Sequence, residues 1–440
     1  MVSLTIKSYT VKDIRFPTSL DKHGSDAMHP DGDYSCAYVT LFTEDEQLTG
    51  HGLTFTIGKG TEVVVRAVES LMELVVGVKF NDIINDFAGF WRKLSSHSQM
   101  RWIGPEKGVI HLALAAVVNS LWDLWAKIEG KPLWKLIVDM EPEQLVSTID
   151  FRYISDVLSK EEAIELLKSK RATVKDREKE IKEKGYPAYT TSIGWIGYDD
   201  ETRRGLCREA LKQGYTSFKA KVGDDIERDK HRLTLIREEI GYENKLMVDA
   251  NQVWEVNQAI DWMKQLTQFK LLWIEEPTSP DDVVGHATIA KALKPLGIGV
   301  ATGEQCCNRV VFKQLLQLGA ISFCQLDSCR LGGLNEVMAV ALLAAKFNVP
   351  VCPHAGGVGL CEYVHHICVW DYVSVSGSFE NRMTEYVDHL HEHFIDPAKC
   401  SNGRYVVPKV PGYLVGMKPE SITKYQFPDG DYWQSVKRKH

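Results

Sequence analysis

Apolar and polar residues alternate from Leu4 to Ile14 and again from Cys36 to Thr43, the period of two that turns every second side chain to one face of a strand. Residues 21–33, rich in Gly, Asp and His, separate the two runs and predict a long, mobile surface loop. From Thr61 the period lengthens. TEVVVRAVESLMELVVG carries apolar residues at helical spacing and stops at Gly77; KGVIHLALAAVVNSLWDLWAKIEG does the same and stops at Gly130, with Pro132 just beyond. Strands first and helices after predict a small α+β domain over residues 1–140. Residues 159–184 are highly charged. There Ser159 and Glu162 fit a capping box and Ala163, Ile164, Leu166 and Leu167 form an apolar stripe, as expected of solvated surface helices.

After residue 187 the pattern becomes regular. Short β-rich runs (SFKAKV, KLMVDAN, LLWIEEP, IGVATGE, FCQLDSC, VPVCPHA) alternate with helical stretches such as DIERDKHRLTLIREEIG and NEVMAVALLAAKFN. Strand alternating with helix implies a parallel sheet. Repeats this short and this numerous suggest a (β/α) barrel over residues 141–390, with a doubly wound sheet as the alternative. No GxGxxG follows a first strand, which argues against dinucleotide binding. Residues 391–440, rich in Pro, Gly and Tyr beyond Pro397, are expected to pack back on the small domain.

Length and composition narrow the class. At 440 residues the chain exceeds what one core supports, so two domains are expected. A net charge of −7 disfavours nucleic acid and anionic membranes as partners. Uncharged apolar stretches such as VMAVALLAA reach about half of a membrane span, so none is expected. Ten scattered cysteines with no CxxC, and an opening segment unlike a secretory leader, point to reduced thiols in an intracellular protein. The mildly basic opening segment leaves mitochondrial and cytoplasmic destinations both open.

The apolar runs end in chemically loaded side chains: Lys221, Asp249, Glu275, Glu304, Asp327 and His354, spaced 28, 26, 29, 23 and 27 residues apart. Each interval is one βα period. In a barrel this places all six on the rim at the C-terminal strand ends, where barrel active sites are built. Three converging carboxylates repel unless a cation neutralises them, and all-oxygen ligation with open positions suits Mg²⁺ or Mn²⁺. Zinc would want His or Cys at these places. Lys219 and Lys221, at i and i+2 of a strand, point the same way, and their mutual repulsion is expected to depress their pKa and make a base. Asp327 and His354, one period apart, suggest a carboxylate that orients and charges an imidazole.

These residues carry a resemblance. FKAKVG, MVDANQ, WIEEPTSPDD, TGEQ, QLDSCRLGG and PHAGGVGLCE resemble the mandelate racemase subgroup of the enolase superfamily, and LWDLWAKIEGKPLWKL resembles the end of that family's capping domain. WIGPEKG, IDFRYISDV, GYPAYTTS and EYVDHLHEHF resemble the L-fuconate dehydratase branch in particular. The resemblance implies a modified TIM (β/α)7β barrel under an N-terminal α+β capping domain, one Mg²⁺ per subunit, and a homo-oligomer. It implies Asp249, Glu275 and Glu304 as metal ligands, Lys221 as the base with Lys219 beside it, and His354 with Asp327 as the acid–base dyad. It further implies Glu385 as the acid that meets the substrate carboxylate, and Asn251 as a second-sphere or substrate contact. The implied reaction is dehydration of an acid sugar, L-fuconate to 2-keto-3-deoxy-L-fuconate and water, through a Mg²⁺-stabilised ene-diolate. A racemase or epimerase of a 2-hydroxy acid uses the same groups, and a non-catalytic interaction protein on the same fold is the reading from another class.

Other features carry less. His389, His391 and His393 alternate, but no Cys or HExxH frame makes them a metal site. Trp122 and Trp125 fit a helix core. Gly356, Gly357 and Gly359 either shape a turn or let backbone N–H groups approach an anion. Substrate stereochemistry is expected to be set by residues 19–35, 51–60 and the neighbourhood of Arg101 and Trp102, closing over the barrel as a lid.

Overall fold

The computed structural model describes residues 4–437. Its first part is an antiparallel sheet of β1 (Ile6–Arg15), β2 (Ser35–Thr43) and β3 (Thr49–Thr56), in that order. The inward face is apolar, with Ile6, Ile14, Val39, Leu41 and Leu53 fully buried. Helices follow, the longest being Gly108–Ile128. It is apolar on all sides because it is covered on all sides. It crosses β3 so closely that a Cβ on Gly50 would lie 2.4 Å from the Ser120 carbonyl oxygen, and one on Gly52 2.2 Å from that of Ala116. Only glycine permits that approach. This helix corrects one expectation: it is long and apolar enough to cross a membrane, yet 89% of its apolar window is buried inside the fold, which makes it the core helix of the small domain.

The barrel is built from β4 (Tyr186–Thr190), β5 (Ser217–Lys221), β6 (Lys245–Asp249), β7 (Trp273–Glu275), β8 (Gly299–Thr302) and β9 (Phe323–Cys324), each paired in parallel with the next. Val351 bridges to Cys324 as a seventh stave. β10 (Thr384–Tyr386) pairs in parallel with β4 and closes the ring. Helices intervene at every crossover, giving seven β/α units and a final strand, the (β/α)7β arrangement that the resemblance implied. Tyr189, Met247, Trp273, Ala301, Phe323, Cys352 and Met383 fill the barrel interior.

The first and last staves are the two that the hydrophobic pattern did not single out. Pro187 lies inside β4, and β10 has only three residues. The proline is tolerated because β4 meets β5 only at Thr190–Phe218, while Pro187 itself pairs only with Arg404 of a two-residue antiparallel strand, Arg404–Tyr405. The charged interval forms helices Lys160–Lys168 and Val174–Lys184, the first opened by the expected Ser159–Glu162 capping box.

The small domain and the barrel share a polar seam. Trp122 Nε1 donates to Asn335 Oδ1 at 2.8 Å, and Trp91 Nε1 to the Gly332 carbonyl at 2.6 Å. The Leu53 amide donates to the Tyr363 hydroxyl at 2.8 Å. Arg309, Glu336 and His111 are fused in a buried cluster: Arg309 Nη1 reaches Glu106 Oε2 at 3.0 Å and Glu336 Oε1 at 2.9 Å, and His111 Nε2 lies 2.5 Å from Glu336 Oε2. Burial alone would raise the Glu336 carboxyl, but His111 and Arg309 hold it well below the usual range. Arg309→Met leaves two buried carboxylates short of a partner, so it is expected to cost about 3–5 kcal/mol in urea unfolding.

The chain end returns to the first sheet. The Met417 amide donates to Tyr38 at 2.9 Å, the Phe427 amide to the Asp13 carbonyl at 2.8 Å, and the Arg15 guanidinium lies 3.8 Å above the Phe427 ring.

Candidate active site

Strand register does the positioning. Lys221 lies opposite Asp249, and Asp249 opposite Glu275, each the last residue of its strand. Glu304 follows the end of β8 by two residues. One oxygen from each of Asp249, Glu275 and Glu304 lies within 4.8 Å of the others. Burial and the neighbouring acids lift Glu275 to about 8 against the pull of Lys219, and burial likewise raises Glu304. Glu304 Oε2 is buried with no hydrogen-bond partner. An all-oxygen, like-charged cluster with an orphaned acceptor fits a hard divalent cation, and the residues present therefore suit Mg²⁺. The second acid of the Glu275–Glu276 pair is turned aside: Glu276 adopts φ 44°, its carboxylate accepts from the Gln252 side chain, and burial, with Glu304 and Asp249 nearby, pushes it well above the usual carboxylate range.

The lysines correct an expectation. Both are buried, but neither is depressed. Lys219 Nζ lies 2.6 Å from Glu275 Oε1 and 3.1 Å from Glu385 Oε1; Lys221 Nζ lies 2.6 Å from Asp249 Oδ2. Burial, the largest single effect, pulls each ammonium down, but the surrounding acids together, led by Glu275 and Glu385 for Lys219 and by Asp249 and Glu304 for Lys221, raise both above the ordinary lysine value. Carboxylates on the next staves decide the charge, and a cation bound to those same carboxylates would weaken their hold.

His354 Nδ1 lies 2.7 Å from Asp327 Oδ2, and its Nε2 3.5 Å from Glu304 Oε2. Burial pulls the imidazole down, yet Glu304 and Asp327 lift it to about 9, so it carries a proton at neutral pH. Asp327 Oδ1 accepts from the amides of Cys329 and Arg330 at 2.6 and 2.7 Å, which fixes the dyad. Glu385 accepts from Thr191, Lys219 and the Ala355 amide, and despite burial Lys219 keeps it ionised. So placed it is an acceptor and not a donor. Asn251, at φ 46°, has a buried Oδ1 without a partner and lines the cavity.

Lys221, Glu304, His354, Glu385 and Asn251 open onto one cavity, roofed by Asp26, His29, Tyr34, Phe55 and Ile57. Residues 24–34 and 55–57 therefore take the lid position. Trp102, in the short turn Met100–Trp102, is 89% exposed and is not among the residues that line this cavity. A Cβ on Gly357 would fall 2.8 Å from the Phe55 ring, so this glycine makes room for the roof. Asp26, His29 and Tyr34 fall within the segment 19–35 expected to form the lid, whereas Thr191, Trp195 and Arg330 were not predicted. Gln325, whose Nε2 donates to Glu275 Oε2 at 2.6 Å, was also missed, although it precedes Asp327 by two residues and shares its face.

The three alternating histidines go separate ways. His391 contacts Glu362 at 2.7 Å, His393 contacts Ser421 at 3.0 Å and stacks on Phe16, and His389 packs among His23, Tyr34 and Trp195. Among the described residues the one metal-compatible cluster is that of Asp249, Glu275 and Glu304. Trp122 and Trp125 stack at 5.0 Å in the core, and all ten cysteines are free.

Comparison with known proteins agrees with this geometry. Residues 203–421 match the family described as Enolase C-terminal domain-like, and residues 27–137 match the Mandelate racemase / muconate lactonizing enzyme, N-terminal domain. The human protein named Mitochondrial enolase superfamily member 1 is 59% identical over 437 residues, 99% of each chain; its crystal structure superposes with a TM-score of 0.98 over 99% of both chains. L-galactonate dehydratase of Hypocrea jecorina is 54% identical over 431 residues, 97% of this chain and 95% of the relative. A racemase from Streptomyces coelicolor A3(2), solved with bound magnesium, is 26% identical with a TM-score of 0.75, covering 96% of this chain and 99% of that one.

Proposed function

Since the chain belongs to the enolase superfamily, we propose that it is a Mg²⁺-dependent acid-sugar dehydratase, a hydro-lyase whose first candidate substrate is L-fuconate. L-galactonate, the substrate in the name of the Hypocrea jecorina relative, differs from L-fuconate only by a hydroxyl at C6 and is the second. The observation that carries the reading is that Glu304, Lys221 and His354 line one cavity, with Asp249 and Glu275 clustered on Glu304 and Asp327 bonded to His354. Asp249, Glu275 and Glu304 would hold Mg²⁺, which when bound supplies positive charge beside the substrate carboxylate. Lys221, on the second stave, takes the C2 proton, and the electron pair left behind moves toward the carboxylate as an ene-diolate. His354, on the seventh stave and kept protonated by Asp327, gives its proton to the C3 hydroxyl. The C3–O bond breaks, water leaves, and the enol tautomerises to a 2-keto-3-deoxy acid. Lys219 and Glu385 bracket the substrate carboxylate, and Asn251 offers an acceptor to a hydroxyl.

The same reading assigns the cap to residues 1–140, the catalytic barrel to 141–390 and a stabilising tail to 391–440. It brings a homo-oligomer, decided by light scattering, and a mitochondrial destination suggested by the name of the human relative, decided by fractionation. The test is a screen of acid sugars with Mg²⁺ and detection of 2-keto-3-deoxy products. Formation of keto acid from L-fuconate or L-galactonate is expected. Deuterium from solvent at C2 of recovered acid, with no keto acid formed, would favour the racemase instead.

A further inference from the structure

Asparagine is a poor helix former, yet Asn119 sits in the middle of helix Gly108–Ile128, fully buried. Both ends of its amide are satisfied outside that helix. Nδ2 donates to the Ser328 carbonyl at 3.1 Å, and Oδ1 accepts from the Leu334 amide at 3.0 Å. One side chain of the small domain therefore grips, near both ends, the loop that joins β9 to helix Leu334–Lys346 of the barrel. Other groups of the small domain hold the same loop. Trp91 Nε1 donates to the Gly332 carbonyl at 2.6 Å, and Thr54 Oγ1 to the Cys329 carbonyl at 3.4 Å. A Cβ on Gly332 would fall 2.7 Å from His111 Cε1, and one on Gly333, at φ 85°, 2.5 Å from Val118 Cγ1. The paired glycines of QLDSCRLGG thus let the loop backbone lie directly on the small domain.

That loop carries half of the proposed chemistry. Asp327 Oδ1 accepts from the amides of Cys329 and Arg330, which lie between the gripped points, and Asp327 Oδ2 holds His354 Nδ1 at 2.7 Å. From the barrel side the stretch is tied by Arg330 Nε to the Glu304 carbonyl at 3.2 Å and by the Gly332 amide to Glu336 Oε2 at 2.8 Å. The base is held differently. β5 pairs with β6, and the Lys221 amide donates to the Gly194 carbonyl at 2.9 Å. Among the described residues no hydrogen bond joins residues 1–140 to Ser217–Lys221. We propose that Asn119 is a positioning residue for the acid: it holds the Asp327 loop in place, so that the small domain sets the aim of His354 while the barrel alone sets that of Lys221. Proton transfer needs the acid within hydrogen-bond reach of the leaving oxygen, so a loosened loop costs the departure of the C3 hydroxyl and spares removal of the C2 proton. The dehydratase reading supplies what His354 does; the hydrogen bonds supply what Asn119 holds.

The test uses the full-length protein with Mg²⁺ and two readouts. The first is amide hydrogen exchange followed by mass spectrometry, which needs no substrate. In Asn119→Ala the stretch 327–333 is expected to exchange about tenfold faster or more, the worth of the lost hydrogen bonds, with Ser217–Lys221 unchanged. The second is keto acid formation set against exchange of the C2 proton with deuterated solvent. Keto acid is expected to fall about 10–100-fold, the usual result of misplacing a catalytic group, while C2 exchange stays within about threefold. Trp91→Phe, which removes only the bond to Gly332, should shift both readouts the same way and serves if Asn119→Ala does not fold. Trp122→Phe is the matched control: it breaks a bond of the same seam, to Asn335 on the helix and not to the loop, and should shift neither. Unchanged protection of 327–333 in Asn119→Ala and Trp91→Phe would overturn the proposal. So would an equal fall of keto acid formation and C2 exchange, or the same partition in Trp122→Phe. Loop-specific loss of protection beside a wild type that forms no keto acid would uphold the grip of Asn119 and overturn the dehydratase.

Discussion

Lys221→Met is expected to lower acid-sugar dehydration by about 10²–10⁴-fold, the usual worth of a positioned base, while leaving the fold intact. The substitution suits the site because methionine matches the aliphatic stem, which packs in a buried strand end. The proton acceptor at C2 is removed, and Asp249 loses a partner at 2.6 Å that a bound cation replaces. The informative control is His354→Asn. It removes the acid that expels the C3 hydroxyl but spares the base, so keto acid formation should fall while exchange of the C2 proton with deuterated solvent persists. Lys221→Met should lose both. Keto acid production and C2 exchange, measured on the same samples with circular dichroism as the check on folding, separate the two roles. Near wild-type turnover in Lys221→Met would remove the assignment of the base.

Mg²⁺ is expected to stabilise the protein by about 2.7 kcal/mol at a hundredfold excess over its dissociation constant, and Glu304→Gln to abolish most of that gain. The reason is electrostatic. Burial first, and then repulsion from Asp249, Glu385 and Glu304, favours the protonated form of Glu275 without a cation and lifts it from 4.5 to about 8. An acid whose folded pKa is raised contributes stability that is fully present below its unfolded value and lost as pH rises through the folded one. The metal-free protein should therefore lose stability between about pH 4.5 and 8, and the gain from Mg²⁺ should grow over the same interval as binding displaces those protons. Thermal unfolding at several pH values, with and without Mg²⁺, reads both effects. A midpoint indifferent to Mg²⁺ across that range would leave the acidic cluster without its assigned ligand.

Much of the floor was legible because a barrel converts a period in sequence into a ring in space. Six loaded residues at one βα interval needed no coordinates to be placed on a common rim, and Asp249, Glu275 and Glu304 do converge there. What failed depended on pairs that no spacing encodes. The lysine charge was misjudged from Lys219 and Lys221 alone, whereas Glu275 and Asp249 on later strands set it. The first and last staves were hidden by Pro187 and by a strand only three residues long. In the roof, SDAMHPDGD reads as part of a polar lid over residues 19–35, but nothing in that composition says that Asp26 folds back on His29, or that Trp102 stays out of the cavity wall.

The glycines beneath β3 constrain how anything enters or leaves. With Gly50 and Gly52 pressed on the helix backbone, and Leu53 bonded to Tyr363 of the barrel, the roof is riveted along its length. Swinging it open as a rigid body would strip apolar area and several buried hydrogen bonds together. The turn at residues 26–29 lies outside that seam: it is closed by its own hydrogen bonds and joined to the barrel through Ser25, whose carbonyl and hydroxyl accept from the amides of Ile196 and Gly197 at 3.2 and 3.1 Å. A passage that leaves the seam whole therefore costs those two hydrogen bonds and not a parting of the domains.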